Sequence, residues 1–106
     1  MKNFYCEWFN ICQNVKLSES FIEEHQEELD WSIVSSYQTL SEDFIEKFKD
    51  KVHWGHISSN QYLSQAFIER FKNNVNWVNL FANNKILLRT RQYFMNEFVQ
   101  GNKKDV

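Results

Sequence analysis

The histidines of His53-Trp54-Gly55-His56 and the thiols of Cys6 and Cys12 carry the side chains best suited to metal or nucleophile chemistry. Neither pair makes a site. A zinc centre needs three or four ligands, and no cysteine or carboxylate set stands at ligand spacing from the two histidines. No Gly-rich phosphate loop, no framed pair of catalytic carboxylates and no Cys-His nucleophile arrangement occurs either, so neither catalysis nor a cofactor nor a bound metal is expected. What the chain does carry is charge at helical spacing. Glu19, Glu23 and Glu27 form a ladder four residues apart, with Glu24 and Glu28 beside it. Like charges so spaced cost a helix a few tenths of a kcal/mol per pair, and Glu27 and Glu28 also fall at the negative end of its dipole. A helix charged against its own interest suits a basic partner, or else forms a solvated face.

The element that positions this ladder is a repeat. Trp8, Trp31, Trp54 and Trp77 stand 23 residues apart, and their surroundings recur with them: Leu17-Ser18-Glu19, Leu40-Ser41-Glu42 and Leu63-Ser64-Gln65 each open a block with the same apolar pattern. Apolar residues at relative positions 0, 1, 4 and 8, such as Phe44, Ile45, Phe48 and Val52, share one face of an α-helix. Ser18, Ser41 and Ser64 are placed to cap these helices, and the preceding leucine can pack on the isoleucine five residues on. A longer helix is predicted over residues 19–29, 42–52 and 65–75. A second, shorter one begins at each tryptophan, as over residues 54–60, with Asp30, His53 or Asn76 as its cap. A helix so short is marginal alone. Its tryptophan must anchor it by burying the ring against the longer helix and the adjacent copy.

The expected fold is therefore all-α, a small α-solenoid of two-helix repeats in one domain, because such a unit cannot bury its apolar face without a neighbour. It divides into a half-repeat over 1–16, repeats over 17–39, 40–62 and 63–85, a capping helix over 86–99 and a frayed tail over 100–106. Cys6 and Cys12 fall where other copies have Val52 and Ser58, which reads as reduced packing thiols. No run of about 18 apolar residues is present and the first ten residues are too polar for a secretory signal, so a cytoplasmic protein without membrane partners is expected.

The pattern W-x-x-I-S-x-x-Q-x-L-S-E-x-F-I-x-x-F-x-x-x-V, read from Trp54 through Val75 with Gln65 in place of Glu, resembles short helical repeats in uncharacterised proteins of giant DNA viruses and some phages. The resemblance runs from Trp8 to about Phe98. It implies a viral or phage origin and a binding role, and carries over no catalytic residue. The first copy departs at His25, where the pattern has Phe, and the last at Thr90, Arg91 and Gln100.

Charge is uneven along the repeats. Residues 17–39 carry six acids and no base, 40–62 four acids and three bases, and 63–85 one acid and three bases, which a net charge of −2 conceals. In the second copy Asp43 can reach Lys47 on its own helix. Arg70, Lys72, Arg89 and Arg91 with Tyr93 suggest a basic, aromatic patch, but the chain is acidic overall and direct nucleic-acid binding is not expected. Complementary ends offer weak head-to-tail association of an otherwise monomeric protein. Positions that differ among copies, Ile33, Tyr37, His56, Asn60, Tyr62, Asn79 and Asn83, mark a working face. The functional expectation is a protein-protein interaction module whose partner meets Glu19, Glu23, Glu24, Glu27, Glu28, Ile33 and Tyr37. The second reading is an inhibitor of a host defence nuclease, of the anti-CRISPR type, occupying a basic nucleic-acid groove with the acidic helix.

Overall fold

The computed structural model describes the backbone of residues 10–104 and the side chains of residues 10–98. All regular structure among these residues is helical. After a helical stretch over residues 10–14 come α1 (Glu19–Glu24), α2 (Trp31–Tyr37), α3 (Glu42–Lys47), α4 (Trp54–Asn60), α5 (Gln65–Arg70), α6 (Trp77–Ala82) and α7 (Leu88–Lys104). Helix α2 packs on α4, and α4 on α6. The molecule measures 60 × 22 × 20 Å, and its radius of gyration is 15.9 Å. A rounded domain of this length would have a radius of gyration of about 13 Å.

The first helix of each copy starts as the sequence predicts. Ser18, Ser41 and Ser64 accept the N–H of Phe21, Phe44 and Phe67 at 3.1, 3.1 and 3.2 Å. It ends sooner than predicted. Instead of running to residues 29, 52 and 75, the α-helix stops at Glu24, Lys47 and Arg70, and the next residue leaves helical geometry, with φ −109° and ψ 31° at Phe48. The chain continues as a turn, Lys51 N–H to Phe48 carbonyl at 2.9 Å, which still delivers Leu29, Val52 and Val75 to the core. The physical reason lies in the tryptophan. Indole Nε1 of Trp31, Trp54 and Trp77 donates to the carbonyl of Gln26, Lys49 and Lys72 at 3.0, 3.0 and 3.1 Å, so a carbonyl freed by the break is capped by the ring that opens the next helix.

The short second helices begin where predicted, each capped by the side chain before its tryptophan: Asp30 accepts from Ser32 N–H at 3.0 Å, His53 from His56 N–H at 3.2 Å and Asn76 from Asn79 N–H at 3.0 Å. Trp31, Trp54 and Trp77 are half-buried rather than fully buried pins. Trp31 stacks on Phe44 and Phe48 of the following copy at 6.2 and 5.3 Å, and Trp54 repeats the arrangement on Phe67 and Phe71 at 6.3 and 5.4 Å. Beneath them Ile22, Val34, Ile45, Ile57 and Ile68 are fully excluded from solvent.

Polar bonds knit the copies together as well. Gln61, only 2% exposed, donates through Nε2 to the carbonyls of Ser35 and Gln38 at 3.0 and 2.6 Å and accepts the Leu40 N–H at 3.0 Å. Gln38 does the same one copy earlier, on Cys12 O (2.7 Å), Val15 O (2.8 Å) and Leu17 N–H (2.8 Å). Asn83 reaches Ser58 O and Gln61 O at 2.8 and 2.9 Å, but its shorter side chain accepts from nearby Lys85 N–H instead. Ser35 and Ser58, also buried, accept the N–H of His53 and Asn76 at 3.0 and 2.9 Å.

The last helix departs from expectation in its length and from the earlier copies in its core. It continues to Lys104, where a frayed tail was expected from residue 100. It also changes the core: Thr90 is buried at the place of Phe44 and Phe67, and Arg91 takes the place of Ile68. The Arg91 guanidinium donates to Phe81 O at 3.3 Å while its buried Nε finds no partner. Phe98 fills the gap by meeting Trp77 edge-on at 5.2 Å.

Each buried amide or carbonyl left unpaired costs about 1–3 kcal/mol. Gln61→Ala strands three such groups and is therefore expected to lower stability by about 3 kcal/mol or more in chemical denaturation. Loss of the exposed cap in Ser41→Ala should cost about 1 kcal/mol. Equal losses would show that the carboxamide is not what joins the copies.

Candidate functional site: the acidic first repeat

The five acids of the first full copy separate into two groups. Glu19, Glu23 and Glu27 all reach across to the second copy. The Glu19 carboxylate accepts both the Ser41 N–H at 2.6 Å and the Ser41 hydroxyl at 3.0 Å, so it caps the N-terminus of α3 from outside. Glu23 meets Lys47 at 2.8 Å and Glu27 meets Lys51 at 2.8 Å. The same rows continue: Glu42 holds Ser64 N–H and Oγ at 2.6 and 3.0 Å, Glu46 pairs with Arg70, and Tyr93 donates its hydroxyl to Glu69 at 3.2 Å. Lys47 thus crosses to Glu23 instead of pairing with Asp43 on its own helix. Exposed pairs of this kind stabilise by about 0–1 kcal/mol each, enough to offset the repulsion within the ladder.

Glu24 and Glu28 flank His25 instead, at 3.8 Å from Nε2 and 2.9 Å from Nδ1. His25 occupies the place of Phe48 and Phe71 and lies tilted against Phe21 with ring centroids 4.4 Å apart. Ile33 and Tyr37 also differ from each other in setting. Ile33 is half-buried against the core, whereas Tyr37 is 48% exposed beside a surface pocket lined by Cys12, Asn14, Val15, Lys16 and Thr39.

Positions that vary among copies do not form one continuous working face. Asn83 is a buried clamp, Asn79 donates to Gly55 O at 3.2 Å, and Asn60 donates to His56 O at 3.2 Å, all within or between the second helices. Tyr62 does lie exposed, with Lys85 Nζ 5.4 Å above its ring. Of the cations suggested as a patch, Arg70 is held by Glu46 and lies 5.3 Å over Phe71, and Arg91 turns to the Phe81 carbonyl.

Among the described residues no three His, Cys, Asp or Glu side chains stand together as metal ligands, and no helix is long and apolar enough to cross a membrane. Cys12 is a free, buried thiol whose pKa is pushed up, first by burial and then by the charge of Asp30, which keeps it protonated and unreactive. Cys6 and Trp8 lie outside the described residues. The residues that sequence reasoning passed over are Gln38, Gln61, Ser35 and Ser58. Their signal was present, since a glutamine and a serine recur at fixed distances after successive tryptophans, but polar recurrence in a helical repeat reads as surface until its partners are seen.

Comparison with protein-family models, with curated proteins and with solved structures gave no match.

His53 and His56 lie with ring centroids 4.3 Å apart, and the His56 N–H donates to His53 Nδ1. The pKa of His56 is lowered, by burial first and by His53 second, with Asp30 opposing. A base whose folded pKa lies below its ordinary value of about 6.5 binds fewer protons folded than unfolded. Its contribution to stability is then complete above that value and lost as pH falls through the folded pKa. The melting temperature is expected to drop between pH 7.5 and 5.5, and the drop should shrink in His56→Asn, which restores the residue found at Asn79. An unchanged pH profile would show that another group sets it.

Proposed function

We propose that this chain is a small α-solenoid of 23-residue, two-helix repeats. In this reading it is viral or phage-encoded, acts in the host cytoplasm and binds a partner protein without performing chemistry. The solenoid reading is supported by hydrogen bonds that recur in register along the chain, those of Gln38 and Gln61 above all. The binding reading is carried by Tyr37. It is a half-exposed aromatic beside a pocket with apolar Val15 at its edge and Asn14, Lys16 and Thr39 around it, the combination of anchor and polar rim that protein interfaces favour. Ile33, one turn earlier on α2, backs it from the core side.

A second reading has its own support. Glu24, Glu27 and Glu28 keep 75, 84 and 55% of their side-chain surface exposed on one acidic copy, which suits an inhibitor occupying the basic groove of a host defence nuclease. Because Glu19, Glu23 and Glu27 also hold the second copy, Glu24 and Glu28 are the positions that test it cleanly.

The two readings are separated by affinity capture from host extract with the intact protein and two variants. Tyr37→Ala should abolish capture of the partner while Glu24→Lys/Glu28→Lys retains it, with folding checked by far-ultraviolet circular dichroism. The opposite pattern, together with capture that falls steeply in salt, would favour the nuclease inhibitor. Capture unaffected by either variant would sink both.

A further inference from the structure

Between the second helix of one copy and the first helix of the next the chain runs extended, with φ −93° and ψ 145° at Gln38 and φ −97° and ψ 154° at Gln61. Extended backbone sends successive side chains to opposite sides. Gln38 and Leu40 are buried and leave Thr39 outside, and Gln61 and Leu63 do the same for Tyr62. Lys16 and Lys85 hold the same place at 23-residue spacing, so Lys16, Thr39, Tyr62 and Lys85 form one exposed file along the linkers. Two contacts join neighbours in the file: Lys16 Nζ donates to Thr39 O at 3.3 Å, and Lys85 Nζ lies 5.4 Å above the Tyr62 ring. Tyr37 stands at the first half of the file, on the pocket that Lys16 and Thr39 also line.

Charge on this file differs from charge at the junctions. The forward edge of a copy meets the backward edge of the next through Glu23 with Lys47, Glu27 with Lys51 and Glu46 with Arg70. In the first copy the places of Lys47 and Lys51 hold Glu24 and Glu28. Lys16 and Lys85 have no such acid, and neither forms an ion pair among the described residues. No Asp or Glu occurs within residues 13–17, 36–40, 59–63 or 82–87. The acids that follow these linkers, Glu19, Glu42 and Asp43, open α1 and α3, and the first two already hold Ser41 and Ser64; Arg89 adds a cation at the start of α7. The file therefore has a cation at each end and a neutral, hydroxyl-bearing middle.

We infer that this linker edge is the docking surface for an extended, acidic segment of a partner protein, with one carboxylate set against Lys16, another against Lys85, and uncharged residues between them over Thr39 and Tyr62. Charge complementarity selects the occupant, and the copy spacing sets its length. Packed helices stand about 8–10 Å apart, so the three steps from Lys16 to Lys85 span roughly 24–30 Å. An extended chain rises about 3.3 Å per residue and covers that span in about seven to nine residues. The threonine and tyrosine hydroxyls can donate to or accept from its backbone. A nucleic acid strand fits less well, because it carries a phosphate at every nucleotide and would lay several of them over a middle without cations, beside Glu19 and Glu42. The inference rests on the reading of this chain as a protein that binds a partner at Tyr37, and gives that partner its chemistry.

Selection of displayed random peptides, about twelve residues long, on the intact protein tests it. Recovered sequences should carry Asp or Glu at two places about seven to nine residues apart, with uncharged residues between. The affinity of a recovered peptide, read by fluorescence anisotropy at low salt, should fall about fivefold or more in Lys16→Ala/Lys85→Ala and by a similar factor in Tyr62→Ala. Lys49→Ala/Lys72→Ala, which removes two exposed cations off the file, should leave it unchanged. All five side chains are exposed, so each variant should keep its helical spectrum. Basic sequences, no recovered sequence, binding indifferent to the lysine and Tyr62 substitutions, or tighter binding of a short oligothymidylate would each overturn the proposal. Tyr37→Ala separates the underlying reading. Peptides weakened by Tyr37→Ala but not by Lys16→Ala/Lys85→Ala uphold the Tyr37 site and remove the acidic partner; peptides weakened only by the lysine variant uphold the acidic partner and remove Tyr37 as its anchor.

Discussion

A helix of six or seven residues satisfies few of its own backbone groups, and when its C-terminus is buried the last carbonyls must find partners that water cannot supply. In this chain the carboxamides of Gln38 and Gln61 meet that requirement. Each donates twice to carbonyls of the copy before it and accepts the first amide of its own copy, binding the end of the preceding second helix to the start of the next copy. Without such a clamp the short helices could not be stacked with their ends inside the protein. The apolar layer of isoleucines and phenylalanines then has a fixed frame in which to close.

The same constraint explains the tryptophans. Their rings add apolar area to the following copy, yet the indole N–H also caps a carbonyl exposed where the first helix of the copy breaks. The break lets one chain turn from the first helix to the second without glycine or proline, residues that this sequence hardly uses. Ring and donor are needed together, which accounts for tryptophan rather than phenylalanine at 23-residue spacing.

Charge polarisation, which looks in sequence like two opposed surfaces, is largely the chemistry of successive junctions. Acids lie on the forward edge and bases on the backward edge, so the first copy is rich in acid because its forward rows are full and its backward places hold Glu24 and Glu28. The acids of the first copy and the bases of the second are thus largely occupied with one another.

The helical class, the serine and Asp30, His53 and Asn76 caps and the buried apolar positions were legible in the sequence, because each depends on residues within one turn of one another or on a period set by the helix itself. Three things were decided only by tertiary structure. The first helices stop early because an indole some residues downstream offers a better partner for the freed carbonyl than a further helical turn. Gln61 is a core residue because groups 21 to 26 residues away converge on it. Glu23 pairs with Lys47, leaving Asp43 on its own helix, because the displacement between neighbouring copies brings residues 24 apart into contact. Such pairings depend on the rotation and translation between copies, and no periodicity within a single copy contains that information.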